Sequence, residues 1–209
     1  YPYGIKPTNY TQAQMNQHCL DWFNQWRAHY VHGQAQDSWM ASDEYRVVRY
    51  ETGDGNTEDT VSEGIGYGMI ITVYMSSATN NTKQYFDGMW KFYKRYRNGN
   101  GLMNWRIGDG GGVVGSGAAT DADEDAAFAL MMAHYQWGSS GAINYRQEAL
   151  TLMAAILNNE ITSSNDIRPG DGWDFGNISY FAPAYYRMFG DFTGNTRWYS
   201  VASRTYNTI

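Results

Sequence analysis

Apolar residues recur at helical spacing in seven successive stretches of this 209-residue chain, while strand-like alternation is confined to Tyr45–Tyr50. The first stretch, Thr11–His32, carries Met15, Leu20, Trp22, Phe23 and Trp26 as its stripe. A second begins near Ser62 with Ile65, Met69, Ile70, Val73 and Tyr74. A third, Asn81–Arg97, stops at Asn98-Gly99-Asn100-Gly101, a strong C-terminal signal. Thr120–Trp137 follows a Gly-rich loop at Gly108–Gly117 and ends at Gly138. Ala142–Asn159, Ser179–Asp191 and Asn195–Ile209 complete the series. Such a chain folds as all-α, in successive helical hairpins. No linker or low-complexity tract divides it, so residues 1–209 read as part of a single domain. The stripe Trp198, Val201, Tyr206 runs to the last residue without a stop signal, so a continuation is expected.

Charge and composition narrow the function classes. A net charge of −6 without a basic run disfavours nucleic acid and anionic membranes. The longest strongly apolar stretch, Gly68–Met75, is too short to span a bilayer. No signal peptide is visible, and a trimmed secreted protein would begin the same way. The single Cys19 excludes an intrachain disulfide and is expected to be a small buried apolar residue. Aromatic residues reach 16%, with 18 Tyr and 8 Trp. They serve either as core packing or as flat faces on which sugar rings stack around a cleft.

Two acidic clusters can do chemistry. In Ser62-Glu63-Gly64-Ile65-Gly66-Tyr67-Gly68, Glu63 stands at a helix start, before three glycines at alternate positions. Glycines cost helix stability, so their density implies close approach of another backbone or of a substrate. Glu63 then either complements the helix dipole or acts as an acid whose proton is held by desolvation. In Thr120-Asp121-Ala122-Asp123-Glu124-Asp125, capping is the expected role for most of the four acids. One of them, Asp121, is the candidate partner of Glu63, because glycoside cleavage needs a proton donor and a second carboxylate.

Other chemistries find little support. Gly53-Asp54-Gly55-Asn56-Thr57-Glu58-Asp59 faintly resembles a calcium loop but lacks a full ligand spacing. His18, His29, His32 and His134 have no matching cysteines, and no HExxH pattern occurs, so no metal is expected. Gly110-Gly111-Gly112 lacks the Gly-Lys-Ser/Thr of a phosphate loop, and no Gly-x-Ser-x-Gly elbow is present. No cofactor is implied.

The run Ala119-Thr120-Asp121-Ala122-Asp123-Glu124-Asp125, continuing to Trp137, resembles the signature helix of glycoside hydrolase family 8. That family includes endoglucanases, chitosanases, xylanases and lichenases. Further matches are Tyr1-Pro2-Tyr3-Gly4, Thr60–Met69, Asn98–Trp105, Trp137–Tyr145 and Ser179–Ala184, in the family's order along essentially the whole chain. The resemblance implies an (α/α)₆ barrel, a toroid of helical hairpins. About the first half of it is expected here, since seven helices are counted against twelve. It implies inverting hydrolysis of a β-1,4-linked polysaccharide by a secreted, bacterial-type enzyme. Glu63 would be the general acid, and Asp121 would hold the sugar in the cleavage subsite and help to place the water. Trp105, Trp173 and Tyr180 would line the groove. The general base would come from a segment beyond Ile209, in the same or a separate chain. A minority reading makes Asp121 the base.

Two rivals from other classes are a non-catalytic carbohydrate-binding protein and a lyase or epimerase sharing a helical toroid. An intact Ser-Glu-Gly-x-Gly-Tyr-Gly context argues against the first. The lack of Tyr/His/Arg in the signature argues against the second. Within the family, Asp123-Glu124-Asp125 and the Pro169–Trp173 loop lean toward cellulose or β-glucan. Gly66–Val73 leans toward chitosan, and a chitosanase is the alternative.

Overall fold

A computed structural model describes residues 7–50, 53, 55 and 57–208. The residues divide at Val31/His32 into two compact units. Tyr1-Pro2-Tyr3-Gly4 lies outside the described residues, as do Asp54 and Asn56 of the calcium-like loop.

The first unit is built on α1 (Gln12–Tyr30). Its start is written locally: the Thr11 hydroxyl accepts from the Gln14 amide at 3.2 Å, and the Gln14 side chain returns a bond to the Thr11 amide at 2.9 Å. This reciprocal pair satisfies two of the orphan donors at the helix start. Phe23 is the buried member of the expected stripe, whereas Trp22 is exposed. Cys19 is also exposed, which corrects the expectation of a buried residue. Four positions before Phe23, it lies toward the polar first half of α1, where few apolar neighbours exist to cover it.

Strands β1 (Val31–His32), β2 (Arg46–Val47), β3 (Arg49–Tyr50) and β4 (Glu58–Val61) precede α2 (Ser62–Tyr74) and α3 (Lys83–Arg95). Then come β5 (Arg106–Ile107), β6 (Val113–Gly115), α4 (Thr120–Trp137) and α5 (Tyr145–Asn159). A 3₁₀ turn at Ile178–Tyr180, α6 (Pro183–Thr193) and α7 (Arg197–Thr208) follow. The seven helices of the described residues fall close to the seven stretches read from the sequence. Two boundaries differ for clear reasons. Asn144 caps α5 by accepting from the Gln147 amide at 3.0 Å, so the helix opens at Tyr145 rather than Ala142. Pro183 breaks the stretch that began at Ser179 and becomes the first residue of α6.

In the second unit α2 packs on α3 and α4, α4 on α5, and α6 on α7. The interior is filled by Ile65, Met69, Phe86, Met89, Trp90, Leu130, Met153, Ile156, Tyr186 and Trp198. A small antiparallel sheet, ordered β3-β4-β5-β6, is an addition to the all-helical expectation. Its strands are two to four residues long, too short to show a period. The pairings Arg49↔Asp59 and Val61↔Arg106 bring two arginines to one buried carboxylate. Asp59 takes Arg49 through two bonds of 2.9 and 2.6 Å, and Arg106 through its Nε. This ion-paired sheet runs directly into α2.

Candidate active site

Both acidic clusters sit at helix starts, and neither start is capped by its own sequence. No side chain caps α2 at Val61 or α4 at Ala119. The partners come from distant loops. The Ser62 amide donates to the Trp105 carbonyl at 2.9 Å, and the Thr120 amide to the Pro169 carbonyl at 3.1 Å. The expected capping role for most of Asp121, Asp123, Glu124 and Asp125 is therefore corrected. Asp121 does accept from the next amide, Ala122, at 2.9 Å. Asp123 and Glu124 turn inward and are buried, where Asp123 accepts from the Tyr93 hydroxyl and Glu124 from the Tyr186 hydroxyl. Their partners lie 30 and 62 residues away, so local reading could not find them.

The helices α2 and α4 meet at Gly66. A Cβ there would lie 2.9 Å from Asp125 Cβ and 3.0 Å from the Ala122 carbonyl oxygen. The glycine density of α2 thus reports close approach of protein, not of substrate: Gly64 and Gly68 face Val47, and Gly68 also meets Met89. The crossing lies one residue beyond Asp121 and less than a turn beyond Glu63, so the two carboxylates come together. Burial raises the Glu63 carboxyl above the ordinary carboxylate range, and the nearby charge of Asp121 adds to that rise. Its own amide, Ser62 and Arg49 oppose the shift and are outweighed. Asp121 is also raised by burial. Asp125 is pushed up to about 6 by burial, against a hydrogen bond from Tyr185.

Glu63 opens onto a cavity of about 260 Å³. Trp105, Ala118, Ala119, Pro169, Trp173, Phe175, Asn177 and Tyr180 line it with Glu63. Four of the five residues singled out from the sequence, namely Glu63, Trp105, Trp173 and Tyr180, therefore line one space. Asp121 does not line it; its charge acts on both Glu63 and Tyr180. Gly115 packs directly under the Trp105 indole, where any Cβ would overlap the ring. One face of Trp105 is thus set on backbone. Trp173 is 49% exposed and Phe175 is 56% exposed, with the two rings edge-on at 5.5 Å. Phe175 carries no sequence signal, because residues 172–176 have no period to mark it. Tyr67, one turn after Glu63, was missed as well: it is exposed, and its hydroxyl is raised by burial and by Asp125, Asp121 and Glu63.

One cluster outside the cavity has the residue types of a cation site. Ligand atoms of His32, Asp37 and Glu58 lie within 4.8 Å of one another. However, buried Arg46 donates from Nε to Asp37 at 2.7 Å and from Nη1 to the Glu58 carbonyl. A guanidinium already neutralises the carboxylate there, and a divalent ion would face that buried positive charge. The cluster is an ion-paired anchor for β2 rather than a ligand set.

Among known proteins, the sequence profile of "Glycosyl hydrolases family 8" matches residues 9–209. Endoglucanase 2 of Ruminiclostridium josui is 40% identical over 215 aligned residues, covering 99% of this chain and 44% of the relative. Endoglucanase A of Acetivibrio thermocellus is 38% identical, covering 100% of this chain and 43% of the relative. The apo structure of a β-1,3-1,4-glucanase from Paenibacillus sp. X4 superposes with a TM-score of 0.86 at 32% identity. That match covers 97% of this chain and 53% of the other. The chain thus spans about half the length of the relatives it matches.

Proposed function

The chain belongs to family 8 of the glycosyl hydrolases, and on that premise we propose that it is the N-terminal part of an inverting, endo-acting hydrolase of β-1,4-linked glucans. The fold is that of the family's (α/α)₆ barrels over the portion present here. One observation carries the reading: a carboxyl at the head of α2, its proton affinity raised by burial, opens onto a cavity lined by aromatic rings.

In this reading Glu63 gives its proton to the glycosidic oxygen as the bond to the anomeric carbon breaks. Desolvation makes it a better donor near neutral pH than an exposed carboxylic acid. Asp121, beside it, holds the sugar in the cleavage subsite and helps to orient the water. Trp105, Trp173 and Tyr180 stack on sugar rings to either side, each ring contributing about 1–3 kcal/mol from its apolar area. The base that activates the water belongs to the rest of the barrel, in the same or a separate chain, about 6.5–9.5 Å across from Glu63. Residues 1–209 are then part of one catalytic domain, supported by a family match that runs unbroken from 9 to 209.

The names of the relatives favour glucan over chitosan. A pure binding protein would gain nothing from a desolvated acid facing its groove. Among the described residues no helix is long and apolar enough to cross a membrane. Because a polymeric substrate cannot enter a cell intact, the site of action is outside it. Product analysis of the complete polypeptide on mixed-linkage β-glucan tests the proposal. New reducing ends of inverted anomeric configuration are expected. Unsaturated ends would indicate a lyase, and binding without products would indicate a carbohydrate-binding protein.

A further inference from the structure

Three separate segments meet at one side chain outside the reacting centre. Asp171 accepts from Asn98 Nδ2 at 2.7 Å and from Asn100 Nδ2 at 2.8 Å, both at Oδ2. Its Oδ1 accepts from the Ala118 amide at 2.9 Å. Asn98 and Asn100 belong to the turn that ends α3, and Ala118 lines the cavity together with Trp105. Asp171 itself lies two residues before Trp173, which lines the same cavity.

The position of Asp171 along its loop gives these bonds their consequence. Pro169 and Gly170 are buried, Asp171 is half-buried, and residues 172–176 are exposed. Within 172–176 the Trp173 amide donates to the Gly170 carbonyl at 3.3 Å. Arg168 reaches Asp174 at 3.8 Å on the surface, and the next hydrogen-bonded point is the turn at Asn177, whose side chain accepts from the Ser179 amide. A five-residue segment without regular structure carries Trp173 and Phe175, and it leaves the folded body at Asp171. Hydrogen bonds to a charged acceptor are stronger than neutral ones, and three converge here.

We propose that Asp171 is a positioning residue whose carboxylate ties the base of the aromatic segment 172–176 to Ala118 and to the turn after α3, and so sets where Trp173 and Phe175 stand along the groove. It touches no substrate. It acts through Trp173 and Phe175, and the inference rests on the reading of this cavity as a glucan groove. The consequence is a specific signature: loosening Asp171 weakens substrate capture while leaving the bond-breaking step at Glu63 largely alone.

The test uses the complete polypeptide. Asp171→Asn keeps the shape but turns an acceptor at the two asparagine amides into a donor. It should raise KM on mixed-linkage β-glucan about tenfold, the equivalent of one charge-assisted hydrogen bond, with kcat changed less than about threefold. In a Trp173→Ala/Phe175→Ala background the same change should add less than about twofold, because coupled residues are not additive. Equal effects in both backgrounds, or a loss confined to kcat, would overturn the proposal. Hydrogen exchange reads the clamp without substrate. Protection at the hydrogen-bonded amides of Ala118 and Trp173 should fall in Asp171→Asn, and equally in Asn98→Ala/Asn100→Ala should the first variant fold poorly. Unchanged exchange would also overturn it. If the unaltered polypeptide releases no reducing ends while these exchange changes occur, the glucan reading fails and the clamp stands.

Discussion

Two groups of acids in this molecule carry raised protonation equilibria for the same physical reason, yet they point to opposite roles. At the groove, Glu63 and Asp121 are half-buried at the starts of α2 and α4. In the interior, Asp123 and Glu124 of the same acidic run lie fully enclosed, with Glu160 at the end of α5. Burial pushes Asp123 up to about 8, and Glu124 and Glu160 are pushed well above their ordinary range. Glu160 is raised by its own burial and further by the charge of neighbouring Asp123. A perturbed carboxyl is therefore no mark of catalysis by itself. What separates Glu63 is the cavity in front of it. Among the interior acids, Asp123 takes its hydrogen bond from Tyr93 and Glu124 from Tyr186, and burial gives them no path to a substrate.

The comparison breaks most visibly at Glu63. In the complete polypeptide Glu63→Gln should lower turnover of unactivated glucan by about 10²–10⁴-fold while substrate binding and thermal midpoint stay near those of the unaltered protein. A variant that keeps most of its turnover would return Glu63 to the role of a helix-start carboxylate. A smaller loss is expected when the meeting of α2 and α4 is disturbed. Gly66→Ala adds a methyl where there is no room, costs about 1–3 kcal/mol of stability, and shifts Glu63 relative to Asp121. Its kcat should drop by up to about 10²-fold, with the substrate's ring contacts intact.

The interior group is sharpened by pH. Asp123 has a folded value of about 8 against an ordinary value of 3.8, so the folded state binds more protons than the unfolded state between those limits. The stability from the protonated form is fully present below about pH 4 and is lost as pH rises toward 8. Asp123→Asn copies the neutral carboxyl and removes that titration. Thermal melts from pH 4 to 8 should therefore slope downward less steeply in the variant than in the unaltered protein, with activity per folded molecule retained. A slope that does not change would mean Asp123 does not hold its proton in the folded state. Smallest of all, Tyr186→Phe strips the donor from Glu124 and should cost about 1–3 kcal/mol by chemical denaturation, with KM unmoved.

The same contrast explains what could be read from the residues alone. The starts of α1 and α5 were legible in kind, because Thr11 and Asn144 cap within three positions. Those of α2 and α4 depend on the Trp105 and Pro169 carbonyls, which no local pattern announces. The acidic run looked like a capped helix start because acids in a first turn usually are, and only Tyr93 and Tyr186 reveal otherwise. Glu63, Trp105, Trp173 and Tyr180 were found through family resemblance, and physical reading alone left Glu63 open between two roles. Phe175 and the Asp171 clamp sit in an irregular segment whose function depends on partners some 50 to 70 residues away.

The central claim is that Glu63 faces the groove with its proton affinity raised by burial. The most direct measurement is a carbon-13 NMR titration of side-chain-labelled glutamates in the complete polypeptide, with Glu63 assigned by its absence in Glu63→Gln. The account predicts a midpoint above the ordinary 4.5, coinciding with the alkaline limb of kcat/KM on β-glucan. A Glu63 that titrates at or below 4.5, with the alkaline limb set by another group, would contradict it.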